Sequence, residues 1–187
     1  MKQEADKMGL ESYNFLLYPK KNQASLTDDG WETFGEGLVP FTEVNTALGS
    51  LLNVHQYTPK DIWATDDVEC YYSYSDESSI IEVQIGSGVK TEEVDEISVR
   101  FAVCNSEGTF EKTLEFCRLL AIKLDMNVLD MKLHEVLDFG NELQIMRSKK
   151  KFEEKREKFF STFDLPIGII SKPLYCSDVF DVLKGNK

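Results

Sequence analysis

Residues 70–86 read CYYSYSDESSIIEVQIG, and the way this stretch folds back on itself decides the architecture. Tyrosines and serines alternate up to Ser75, a polar break follows at Asp76–Ser79, and a second alternating run begins at Ile80. Side chains on a strand point to opposite faces with period two, so pairing the halves about Asp76 and Glu77 predicts a hairpin with two dissimilar faces. Tyr72 then opposes Ile81, Cys70 opposes Val83 and Val68 opposes Ile85, all on an apolar face. Glu69, Tyr71 and Ser73 lie on the other face with Gln84, Glu82 and Ile80, and a slip by one residue would mix the two sets.

Working outward, Glu96–Cys104 repeats the alternation, with Ile97, Val99, Phe101 and Val103 on one side and Ser98, Arg100 and Ala102 on the other. The three segments predict an antiparallel meander linked through Gly86 and Gly88. Tyr13–Tyr18, closed by Pro19, predicts an earlier strand, and 127–133 a later one. Apolar residues at 41, 44, 48, 51 and 52 make a helical stripe that Thr42 could cap. Phe110, Leu114, Cys117, Leu120, Ala121 and Leu124 make a second stripe, with Ser106 as its expected N-cap. A third helix is predicted from about Asn141 to Thr162, with Phe152 alone amid RSKKKFEEKREK, and a short one after Ser177. Lys20–Pro40 reads as a long loop with one helical turn near Thr27–Asp29. The order predicts an α+β two-layer sandwich, a mainly antiparallel sheet with helices packed on one face. The expected organisation is a single domain over 1–187 with a polar N-terminal extension of about ten residues.

Charge bounds the function. The chain of 187 residues carries 33 acidic against 21 basic side chains, a net of -12, which opposes attraction to nucleic acid or to an anionic membrane. The segment 147–158 is locally +4, leaving -16 elsewhere, and its alternating signs read as a solvated helix face laced with ion pairs. No run reaches the roughly 18 apolar residues of a membrane span, and the first fifteen residues lack a secretory pattern, so a cytoplasmic protein is expected. The four cysteines, 70, 104, 117 and 176, have no paired spacing and read as reduced core residues.

No stretch carries a catalytic, nucleotide or metal motif. Asp28, Asp29, Asp66, Asp67 and Glu69 lack the order of a calcium loop and read as turn chemistry. His55 and His134 have no ligand spacing, Cys104 and Cys176 no nucleophile context, and neither GEG at 35–37 nor GSG at 86–88 has phosphate-loop form. No cofactor and no metal are expected. The stretch WETFGEGLVPFTEV at 31–44 resembles the Trp, Glu and Leu-Pro region of a family of bacterial immunity domains, with Val39 inserted between Leu38 and Pro40 and without the paired glycines that follow there. No residue role is carried over from it. The expected function is non-enzymatic binding of a basic protein, immunity- or inhibitor-like, with Tyr71, Glu82 and Arg100 on the outer sheet face as surface candidates. The alternatives are an enzyme using carboxylates between the 20–40 loop and the sheet, with Asp66, Asp67 or His134, and a homodimer built through the meander edge or the face around Tyr71.

Overall fold

The computed structural model describes residues 9–63, 65, 67–86 and 92–185. Its centre is a seven-stranded sheet in the order β11-β10-β1-β9-β7-β6-β5, every neighbouring pair antiparallel. These strands are β1 (Ser12–Pro19), β5 (Val54–Gln56), β6 (Tyr71–Ser75), β7 (Ile80–Ile85), β9 (Ile97–Ala102), β10 (Met126–Asp130) and β11 (Glu135–Val136). Two small ladders stand apart from it: β2 (Gln23–Thr27) with β3 (Gly30–Phe34), and β4 (Val39–Pro40) with β8 (Glu93–Val94). The helices are α1 (Phe41–Gly49), α2 (Gly108–Leu124), α3 (Glu142–Thr162) and α4 (Val179–Gly185). The α+β class and the sheet with helices against one face are as the sequence predicts.

The predicted faces hold while the hairpin register does not. Tyr72 pairs with Val83 and Tyr74 with Ile81, two residues out from the expected alignment. The cause is the turn. The Asp76 carboxylate accepts from the Ser78 and Ser79 amides, and the Asp76 amide donates to the Ser79 carbonyl, which fixes a four-residue loop between Ser75 and Ile80. An offset of two keeps the pleat in phase, so each side chain stays on its predicted face. The strand also begins later than expected: Val68–Cys70 is a 3-10 turn, and Val68, expected in the core, is 52 % exposed.

Tyr13, Phe15 and Leu17 on β1, with Ile97, Val99 and Phe101 on β9 and Ile81, Val83 and Ile85 on β7, form the helix-covered face. The predicted stripe of α2 is buried along its length against β10, β1, β7 and β9. Phe152, the one apolar residue in the basic stretch of α3, is 1 % exposed and stacks on Phe110 while meeting Tyr13 edge-on. Asn141 caps α3 by accepting from the Gln144 amide. The two caps expected from sequence, Thr42 and Ser106, are not used as such. Thr42 lies inside α1, which Pro40 precedes, and the Ser106 hydroxyl donates to the Ser78 carbonyl instead.

The 20–40 region is not a loop. It is the hairpin β2–β3, turning through Asp28 and Asp29, with Ala24 and Trp31 packed on Leu16, Tyr18 and Leu129 of the second sheet face. The buried Asn22 side chain closes its base, its amide donating to the Gly37 carbonyl and its oxygen accepting from the Gly37 amide. A Cβ at Gly37 would come within 2.7 Å of that oxygen, so the second glycine of GEG is required by this clamp. Residues 1–8 of the expected N-terminal extension, and Gly88 of the expected GSG turn, lie outside the described residues.

Candidate functional site

The second face of the sheet carries a polar row set by register alone. Asn14 on β1 is level with Arg100 on β9, Arg100 with Glu82 on β7, Glu82 with Ser73 on β6, and Ser73 with His55 on β5. The next row holds Leu16, Ser98, Gln84 and Tyr71. Two covers lie over this face. The β2–β3 hairpin covers the β1 and β10 side. The segment 57–63 and the C-terminal segment 174–181 cover β6 and β7, joined by stacking of Tyr57 on Tyr175 with ring centres 4.9 Å apart and by Lys60 paired with Asp178 and Asp181. Asn105 anchors the C-terminal segment by a reciprocal pair of hydrogen bonds to the Leu174 backbone.

A cleft of about 480 Å³ opens on this face, and the three residues predicted from sequence, Tyr71, Glu82 and Arg100, all line it. They are not the open surface expected of them. Tyr71 and Glu82 are buried, at 7 % and 3 % exposure, the C-terminal segment reaching Glu82 through the Cys176 amide, and Arg100 is the one of the three that stays open. Glu82 is held by donors from three elements. Its Oε1 accepts from the Tyr57 hydroxyl at 2.9 Å and from Arg100 Nη2 at 3.0 Å, and its Oε2 from the Cys176 amide at 2.8 Å. Burial first, and then the Glu82 charge, raises the Tyr57 phenol above its ordinary pKa. Burial works against the Arg100 cation, but the Glu82 carboxylate outweighs it and the guanidinium pKa is raised. The site therefore displays a fixed cation supported by a carboxylate whose acceptor sites are already engaged.

Ser73 lies 3.5 Å from His55 Nε2, yet Ser73 is fully buried and its hydroxyl contacts the Tyr175 hydroxyl at 3.0 Å, so no substrate carbonyl reaches it. The other sequence candidates are dispersed. Asp67 caps the 3-10 turn by accepting from the Glu69 amide, Asp28 and Asp29 form the tip of the hairpin, and His134 meets Trp31 edge-on. Asp66 lies outside the described residues. Among the described residues no three or more His, Cys, Asp or Glu side chains are placed to hold a metal ion, and no helix is long and apolar enough to cross a membrane. All four cysteines are free and buried. The dimer surfaces expected from sequence are also altered: β6 is paired by β5, so the meander has no open edge there, and the face around Tyr71 is covered.

Charge is distributed unevenly over the folded chain. Four of the seven cations in the basic stretch of α3 are paired with carboxylates, Arg147 with Glu135 on β11, Lys149 with Glu111 on α2, Arg156 with Glu107 and, within the helix, Lys151 with Glu154. At the hairpin end, the hydrogen bond from Thr33 to Glu96, the β4–β8 pairing and the bond from the Phe41 amide to the Glu92 carbonyl gather acidic segments together. Asp28, Asp29, Glu32, Glu36 and Glu92 are exposed there and form no ion pair among the described residues. Burial, followed by the charge of Asp95, raises the Glu96 pKa. Tyr57, Tyr175 and Cys176 had no local sequence signal, whereas Asn14 and Ser98 could have been placed on the polar face by alternation. Comparison of the chain with protein-family models, curated proteins and solved structures finds no match.

Proposed function

We propose that this protein is a non-catalytic protein-binding domain, immunity- or inhibitor-like in action, that engages a basic partner through the hairpin end. The observation that carries this reading is the contrast in charge compensation. Four of the seven cations in the basic stretch of α3 have carboxylate partners, while the exposed acids of β2–β3 stand without ion pairs among the described residues. Uncompensated acids on an exposed hairpin steer a basic partner toward it and select against acidic ones. Phe34, 51 % exposed on the hairpin face that also carries Glu32, supplies apolar contact beside the acids.

The test is a pull-down with the tagged protein from its source cells at about 50 mM and about 500 mM salt, where the Debye length falls severalfold. A variant with Asp28, Asp29, Glu32 and Glu36 all changed to lysine is run beside it, its fold checked by circular dichroism. The reading expects a basic protein captured at low salt, reduced at high salt and lost with the variant. Capture indifferent to both salt and charge reversal defeats it, as does an empty pull-down under both conditions.

A further inference from the structure

The cleft on the second sheet face is a different place from the acidic hairpin, since no residue of β2 or β3 lines it. We propose that it is a binding site for a small molecule carrying a single carboxylate on an apolar body, with Arg100 as the anchor. Its volume of about 480 Å³ is within the range of small-molecule sites and far above what one or two waters need.

The geometry of Arg100 selects the chemistry. One Nη2 hydrogen of its guanidinium is tied to Glu82, while the other Nη2 hydrogen and the N–H beside it on that edge have no hydrogen-bond partner among the described residues. A planar fork with one edge pinned and the other free is pre-set for two parallel bonds to a carboxylate. Glu82 acts as the positioning residue. It is buried and its oxygens already accept from Tyr57, Cys176 and Arg100, so it fixes where the cation points and does not compete for the ligand as a base. Asn14, Gln84 and Ser98 on the same floor add short polar groups, and Ile62 and Trp63 on the wall add apolar surface. A buried support holding a functional cation in one orientation is how rigid elements build a binding site.

Charge limits the ligand to one negative group. Arg100 is the only Lys or Arg lining the cleft among the described residues, it shares that lining with Glu82 and Asp61, and the chain as a whole carries -12. A phosphate or a polyanion would meet more repulsion than one guanidinium offsets, whereas a monocarboxylate gains two directed bonds at close range, where screening by salt acts least.

The test uses phenylacetate as probe and the neutral isostere phenylacetamide as control, read by amide chemical shifts of the full chain. Roughly ten non-hydrogen atoms at the efficiency of an unoptimised ligand correspond to a dissociation constant of about 1 mM. Phenylacetate is expected to move the Gln84, Ser98 and Arg100 amides saturably, with phenylacetamide and inorganic phosphate each about tenfold weaker or more. Arg100→Gln is expected to weaken phenylacetate by about tenfold. Because that change also strips Glu82 of its cation, Ser98→Phe serves as the second variant: it fills the floor, leaves the Glu82–Arg100 pair in place, and is expected to abolish the shifts with thermal melting unchanged. The proposal is overturned if phenylacetamide or phosphate binds as tightly as phenylacetate, if the shifts map elsewhere, if no saturation occurs, or if a folded Ser98→Phe binds as well as the parent.

Discussion

Replacing Glu82 by alanine tests whether the C-terminal segment is bound to the sheet in the way its hydrogen bonds indicate. Three donors lose their acceptor, and they do not lose it equally. The Cys176 amide is buried beneath the segment and has nowhere else to turn, which costs about 1–3 kcal/mol for an unsatisfied donor. The Tyr57 hydroxyl borders the cleft and recovers water, so its loss is about 1 kcal/mol. The Arg100 side chain is 44 % exposed and rehydrates, adding no more than about 1 kcal/mol. The sum is about 2–5 kcal/mol, which for a chain of this size lowers the melting temperature by roughly 5–20 °C. Glu82→Gln retains an acceptor oxygen and loses about half as much. Urea unfolding at pH 7 with both variants gives the numbers. A Glu82→Ala protein within about 1 kcal/mol of the parent refutes the reasoning, because it would mean that the segment is held by its other contacts and not by Glu82.

Asp76→Asn should cost about 1–2 kcal/mol at pH 7, and the gap should close on acidification. Burial opposes the Asp76 charge, but the Lys112 ammonium, the Tyr74 hydroxyl and Ser78 outweigh it and hold the folded pKa below the usual carboxylate range. A depressed carboxylate pKa stabilises the fold above the unfolded value near about 4 and loses that contribution as pH falls below it, so a variant deficit that stays constant down to pH 2 contradicts the assignment. Phe152→Ala should destabilise by about 3–5 kcal/mol, measured by the same unfolding assay, and a loss under about 1.5 would show that α3 packs elsewhere. Burial pushes the Cys104 thiol up to about 11 and raises Cys117 and Cys176 above their ordinary range, so none of the four cysteines should react with a disulfide reagent in native protein at pH 8, and all four should react in denaturant. A fast native thiol would show that one of them is accessible.

The two faces of the sheet were legible because alternation is a local property and survives an offset of two; the offset itself came from the Asp76 side chain, whose grip on two amides a pattern of apolar residues does not encode. Hairpin β2–β3 was missed because QASLT and GWETF carry few apolar residues, although the Asp28–Asp29–Gly30 run at their junction was an available turn signal. The residues of the cleft floor were visible as a polar face. Their burial was not, since Tyr57 and Cys176 reach Glu82 from 25 and 94 residues away and nothing near Glu82 announces them.

The placement of β1 between β9 and β10 bears on how the chain acquires its shape. The Tyr13 hydroxyl bonds to Asp130 across 117 residues, so the middle of the sheet joins parts of the chain that meet only after long loops have closed. The turns within β6, β7 and β9 close far shorter loops. We expect that meander to assemble first and β1 to slot in as the last central strand, giving the slow folding of a topology rich in distant contacts. Pulsed hydrogen exchange would then show protection in β7 ahead of β1, and simultaneous protection would show instead that the sheet closes in one step. Until β1 arrives, Val99 and Phe101 have an open flank, and this interval is when the chain is most exposed to association with copies of itself.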